Sequence, residues 1–231
     1  ILDADTIVAE NGKIIAIGEW VIAEACRIIR AGLGGKTLSI NVSALQFRNT
    51  AFLPRLMEIL QQAGVQPGQL ELEITESVLI DDDARALLIL QALKKQGFGI
   101  ALDDFGTGYS SLSYLSRYPF DTIKVDRSFV NNLSTSENAG VIIRSIVELG
   151  AGLGMKVVAE GVETIEQAQY LSSIGCDQLQ GYLLGKPQPF AARLTAIDAE
   201  TAAELRRVRD GGTMALRALP RIESRLRKGA A

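Results

Sequence analysis

The chain has 231 residues, 47% of them hydrophobic and 22 of them glycine, with a net charge of −3. This composition supports one domain of α/β-barrel size, slightly short for a complete barrel, and excludes a disordered chain; the charge offers nothing for coating a nucleic-acid backbone, so no DNA binding is expected. Histidine is absent, which excludes serine–histidine triads, histidine-ligated zinc and imidazole catalysis within the chain and leaves hydrolytic chemistry to carboxylates, amides, lysine and a hard cation such as magnesium or manganese.

In chain order, residues 1–12 read as a loop and short helix leading into a first amphipathic helix. From Ile17 to Ile29, apolar residues at Ile17, Val21, Ile22, Ala25 and Ile28 form one helical face. Phe52 to Gln62 repeats the period with Phe52, Leu56, Ile59 and Leu60, and Gly64 supplies a stop. Asp82 to Gln96, Asn138 to Leu153 and Glu163 to Ile174 are further helices, stopped by Gly97, Gly154 and Gly175. Between them lie six short apolar strands near residues 37–42, 70–75, 98–103, 120–126, 155–160 and 177–182. This alternation predicts a parallel sheet with right-handed crossovers. An eight-stranded barrel needs two more strands, and nothing before Lys36 offers one. An incomplete barrel and an open six-stranded sheet with reversed winding order both remain open.

From Ala199 onward the chain is helix-forming and rich in arginine, including Arg206, Arg207, Arg209 and Arg217. Gly211-Gly212 and Pro220 interrupt it, and it reads as a solvated basic face. The predicted organisation is a barrel domain over residues 1–198 and a basic helical extension over 199–231. Cys26 and Cys176 lie far apart in apolar surroundings and read as core thiols of a reduced cytoplasmic protein. No apolar run approaches the roughly 18 residues of a membrane span and no signal peptide opens the chain, so a cytoplasmic location is expected, with anchoring of a longer parent left open.

The strand ends carry the chemistry. Gly99 to Leu102 is apolar up to Asp103-Asp104 and then turns at Gly106; Asn41, Glu73, Lys124, Glu160 and Gln180 hold the matching places on the other strands. Parallel strands put their C-terminal ends on one face, so these groups should converge. Adjacent side chains on a strand point to opposite faces, so Asp103 and Asp104 can share a site only where the strand is ending. Two carboxylates so close repel unless a cation neutralises them or one is protonated. Each residue also has a plainer reading. The aspartates could cap the Phe105-Gly106 turn, Asn41 could form a turn, and Glu76 could be a helix N-terminal carboxylate. Lys124, between Ile123 and Val125, could pair with Asp126 or another carboxylate.

Asn41-Val42-Ser43, Glu71 to Ser77, Asp103 to Gly108, Lys124-Val125-Asp126, Glu160 to Glu163 and Gln180-Gly181-Tyr182 resemble, in this order and at βα spacing, the signature of EAL domains, over about Ile7 to Pro189. The resemblance implies a TIM-type (β/α)8 barrel that hydrolyses cyclic di-GMP to linear pGpG at a two-metal site of Mg2+ or Mn2+. It implies metal ligation by Asn41, Glu73, Asp103, Asp104 and Glu160, with Asp103 bridging the metals and Asp104 helping to hold the second. Lys124 would orient the attacking water and damp charge among the carboxylates; Glu160 would act as general base or as a ligand to the second metal. Glu76 would brace the Asp104–Gly108 loop. Glu163 and Gln180 are substrate-contacting or supporting candidates, and Gly106, Thr107, Gly108 and Gly161 would keep the backbone tight near phosphate. The implied partners are cyclic di-GMP, a second copy in a homodimer, and an upstream sensory or GGDEF domain.

One departure stands out. EAL domains are named for a Glu-Ala-Leu motif on an early strand, whose glutamate is a primary metal ligand, and this sequence contains no Glu-Ala-Leu. Ile7 to Gly12 and Ile17 to Val21 match the family's stretch just after that strand, so the absent motif and the two uncounted strands are one deficit. A truncated N-terminus is expected rather than a natural six-stranded domain. A chain complete as given would be poorly active or inactive, which makes a nonhydrolytic cyclic di-GMP receptor or interaction module the alternative function.

Overall fold

The computed structural model describes residues 13–32, 35–80, 83–106 and 112–187. The expected 199–231 extension and the segment 1–12 therefore lie outside the described residues, as do Thr107 and Gly108. Among the described residues, six parallel strands form one sheet: β1 (Leu38–Asn41), β2 (Leu70–Thr75), β3 (Gly99–Phe105), β4 (Thr122–Val125), β5 (Lys156–Ala159) and β6 (Gln178–Leu179). Their order in space is their order in sequence. Every crossover thus steps the same way, as in a barrel wall, and the reversal that a doubly wound open sheet requires is absent among the described residues.

The long helices are α1 (Ile14–Arg30), α3 (Phe52–Ala63), α5 (Asp83–Gln96), α8 (Glu137–Leu153) and α9 (Ile165–Ser173). Gly64 and Gly154 end α3 and α8 in the left-handed conformation (φ 68° and 72°), the stop their sequence positions predict. Among the described residues, four short α-helices escape the periodicity: α2 (Ala44–Arg48), α4 (Ser77–Ile80), α6 (Leu112–Arg117) and α7 (Arg127–Asn131). At four to six residues they are too short to show a hydrophobic stripe.

Strand alternation divides the sheet into two faces. Ile40, Leu72, Ile74, Ile100, Leu102, Ile123, Val125, Val157 and Ala159 are buried in the core beneath the helices. Each leucine, isoleucine or valine of this layer contributes about 1.5–3 kcal/mol on burial, so the layer holds the fold and leaves the other face free for polar groups. On that inner face stand Ser39 and Asn41, Glu71 and Glu73, Asp103, and Thr122 and Lys124.

α1 corrects the expected helical face. Its buried residues are Ile14, Gly18, Ile22, Ala25, Cys26 and Ile29, whereas Ile17 is 42% exposed and Val21 and Ile28 are only half-buried. The helix turns its glycine and cysteine inward, and a count of large apolar residues cannot register either. Cys26 and Cys176 are both free thiols, Cys26 buried and Cys176 half-buried. Among the described residues, no helix is long and apolar enough to cross a membrane.

Candidate active site

The aspartate pair is brought to one side by a β-bulge. Leu102 is level with Ile123 on β4 and Phe105 with Val125, so three steps along β3 match two along β4. The extra residue is accommodated at Asp104, the one non-glycine with positive φ (55°) among the described residues. Aspartate tolerates this conformation better than most residues, and the extra residue re-aims the side chain next to it. Contrary to expectation, the strand does not end at the pair; it continues to Phe105 and bulges instead. Just beyond, the Gly106 N–H donates to Glu76 Oε1 (3.1 Å), tying the bulge to the end of β2.

Lys124 is the electrostatic centre. Its ammonium donates to Glu73 Oε2 (2.7 Å) and lies 2.6 Å from Glu160 Oε1 and 2.8 Å from Asp103 Oδ1. Asp126 is not its partner: Asp126 Oδ1 accepts from the Ser128 N–H (2.9 Å) and caps α7. Burial alone would depress the Lys124 ammonium, but the contacts with Asp103, Glu160 and Glu73 outweigh it, and the pKa is raised. The lysine is therefore fully charged at neutral pH.

The carboxylates pull the other way. Burial raises Glu73 and Glu160 against the pairing with Lys124, and burial together with the neighbouring Asp103 charge raises Asp104. Asp103 Oδ1 is buried and, despite its ion-pair contact, has no donor aligned to hydrogen-bond it. One oxygen each from Asp103, Asp104 and Glu160 lie within 4.8 Å of one another. With four carboxylates around one ammonium, the ionised cluster has a net negative charge. This hard, oxygen-only donor set fits a divalent cation such as magnesium, manganese or calcium.

The other expected residues fall around this cluster at varying distance. Asn41 is level with Glu73 at the end of β1, with its side chain exposed. Glu160 follows β5, its N–H donating to the Val125 carbonyl (3.1 Å). Gln180 follows β6; its N–H donates to the Ala159 carbonyl (2.8 Å), and its side chain is exposed. Glu163 is exposed, its N–H donating to Gln167 Oε1 (2.8 Å) at the start of α9. Gly161 has φ 69°, and a Cβ there would fall 2.5 Å from Arg127 Cβ, so it lets the Glu160 loop lie against α7. Sequence reasoning passed over Gln46, whose amide braces the turn after β1. The signal was present as Ser43-x-x-Gln46, a capping-box spacing.

Residues 4–187 match the EAL domain family, and the chain belongs to that family. It is 43% identical over 192 residues to the bifunctional diguanylate cyclase/cyclic di-GMP phosphodiesterase MucR of Pseudomonas aeruginosa, an alignment covering 81% of this chain and 28% of MucR. The chain thus spans about a quarter of the length of the curated relatives it matches. Among solved structures it resembles the MucR phosphodiesterase in complex with c-di-GMP, with a TM-score of 0.78 and 43% identity over 81% of this chain and 77% of that one. It also resembles Klebsiella pneumoniae BlrP1 in a manganese/cyclic di-GMP complex, with a TM-score of 0.70 and 34% identity over 80% of this chain and 46% of that one. The (β/α)8 barrel of the family accounts for the consecutive strand order and for site residues gathered at the C-terminal strand ends.

Proposed function

We propose that this chain is a phosphodiesterase domain that hydrolyses cyclic di-GMP to linear pGpG with a divalent cation. The observation that carries the reading is the Lys124 ammonium seated among Glu73, Asp103 and Glu160, with Asp104 turned into the same cluster by the bulge. Degenerate sites would be expected to lose members of such a set. Here Asn41, Glu73, Asp103, Asp104, Lys124 and Glu160 are all present.

Asn41, Glu73, Asp103, Asp104 and Glu160 would hold the cations, Mg2+ or Mn2+. When bound there, they would polarise the phosphodiester and acidify water. Glu160 is placed to accept the proton of the attacking water. Burial has raised its affinity for a proton, as a general base requires, and Lys124 keeps its carboxylate oriented. Lys124 also offsets charge among the carboxylates, so that an anionic phosphodiester can approach. Glu76, through Gly106, keeps the bulge and its loop in place beside that phosphodiester. Gln180 and Glu163 stand at the rim as contacts for the nucleotide.

The parent protein is read as cytoplasmic or cytoplasm-facing, dimeric, and joined to an upstream sensory or GGDEF domain; the short share of MucR that the chain spans supports a multidomain setting. The test is incubation of the full chain with cyclic di-GMP and Mg2+ or Mn2+, with products separated by chromatography. Formation of pGpG that stops in excess chelator is the expected result. Binding without any product would favour a receptor, and full turnover in chelator would sink the metal mechanism.

A further inference from the structure

Asn41 is the odd member of the donor set. It is the neutral ligand among carboxylates, and among the described residues no hydrogen bond holds its side-chain amide. The backbone of β1 therefore decides where its oxygen stands. β1 is an edge of the described sheet, secured on one side by β2: Asn41 is level with Glu73, and the Val42 N–H donates to the Glu73 carbonyl (2.9 Å).

The chain after Asn41 and Val42 is secured by a reciprocal pair. The Gln46 N–H donates to Ser43 Oγ (3.3 Å), while Gln46 Oε1 accepts from both the Ser43 N–H (3.2 Å) and the Ser43 hydroxyl (2.8 Å). Gln46 is buried, its amide wedged against the middle of α1 at Gly18. A Cβ on Gly18 would fall 1.6 Å from Gln46 Nε2. Glycine inside a helix is destabilising by about 0.5–1 kcal/mol relative to alanine. Gly18 is a helical residue with no positive φ to require glycine. Space for the Gln46 amide is what the missing side chain provides.

We propose that Gly18 and Gln46 are positioning residues of the cation site. The Gly18 notch seats the Gln46 amide, Gln46 fixes Ser43, and Ser43 fixes the end of β1 with the Asn41 oxygen beside Glu73. This rests on the divalent-cation reading above.

The test is Mn2+ binding to the full chain, measured by loss of the free-ion paramagnetic resonance signal. It compares wild type with Gly18→Ala, Gln46→Ala, Gln46→Glu, Asn41→Ala and the Asn41→Ala/Gln46→Ala double variant. Partners of metal ligands typically tune affinity 10–100-fold, so Gly18→Ala and Gln46→Ala should each weaken Mn2+ binding about 10-fold. Gln46→Glu keeps the acceptor that Ser43 uses and should restore binding close to wild type. On the Asn41→Ala background, Gln46→Ala should add nothing, a coupling that a merely structural cap would not produce. A cavity of about 30 Å3 beside Gln46, lined in part by Ile22, Phe52 and Leu56, gives the displaced amide somewhere to go, so Gly18→Ala should remain folded by circular dichroism. Mn2+ binding by both single variants within about twofold of wild type, against the ten- to hundredfold usual for such partners, would overturn the inference, as would an undiminished Gln46→Ala effect without Asn41. Those results would leave the cation reading standing. Failure of wild type itself to bind Mn2+ would overturn both.

Discussion

Glu73 on β2 and Lys124 on β4 meet at 2.7 Å over the intervening strand β3, where the residue level with Glu73 is Ala101. Strands two apart are separated by about 9–10 Å, so the pair forms only because both side chains are long and the one between them is a methyl group. One row below, the Thr122 hydroxyl donates to Glu71 Oε1 (2.7 Å), and the β3 residue level with Glu71 is Gly99. Small residues on β3 thus let β2 and β4 touch directly. Ala101→Leu should separate Glu73 from Lys124 and overpack the inner face, a loss of about 1–3 kcal/mol. Urea denaturation together with a turnover assay would check this; an unchanged midpoint and rate would show that Ala101 is not the spacer.

Removing the ammonium should be more damaging. Lys124→Met leaves Glu73, Asp103 and Glu160 buried without their cation, which in comparable buried pairs costs about 3–5 kcal/mol. The loss should appear in chelator and be partly reversed by Mn2+, since a metal can replace the missing charge. Equal stability of variant and wild type in chelator would contradict the ion-pair account.

Glu160→Gln keeps the shape of the side chain but removes the proton acceptor. Hydrolysis should fall at least about 100-fold while cyclic di-GMP still binds. Calorimetric binding and chromatographic turnover separate the two effects, and near-normal turnover would remove Glu160 from the role of base.

Metal-free stability should depend on pH in a defined direction. Burial, ahead of other causes, raises Glu73, Asp104 and Glu160, so the folded protein retains protons that the unfolded chain has already released. Their contribution is constant below the ordinary carboxylate range and is lost as pH rises through the raised folded values. In chelator, Glu73→Gln should be more stable than wild type at pH 8, with the advantage shrinking on acidification. Melting temperatures across pH would test this; an advantage that grew in acid would reverse the sign.

The thiols should be inert in the native state. Burial pushes the Cys176 thiol up to about 11 and also raises Cys26. At pH 8 both should react slowly with Ellman's reagent and quickly in urea, because the thiolate is the nucleophile. Immediate titration of the folded protein would contradict this.

Local signals determined where the elements lie. The alternation of Leu70 to Thr75 marks β2 over the residues the structure shows, and Gly64 and Gly154 end their helices where a left-handed residue is needed. The ordered carboxylates, amide and lysine at the strand ends made the EAL family legible, because parallel strands force such residues onto one face. Tertiary contacts decided the rest. α1 buries the face that packs on α3, α2 and β1, where Gly18 meets the Gln46 amide, and helical period carries no record of a neighbour. Asp103 and Asp104 share a site through a bulge measured against β4, a relationship between two strands rather than a property of either. Lys124 took Glu73, Asp103 and Glu160 instead of nearby Asp126, because the inner face brings distant carboxylates within reach while Asp126 is spent capping α7. Periodicity and spacing report each segment's own preference; pairing depends on what the sheet sets beside it.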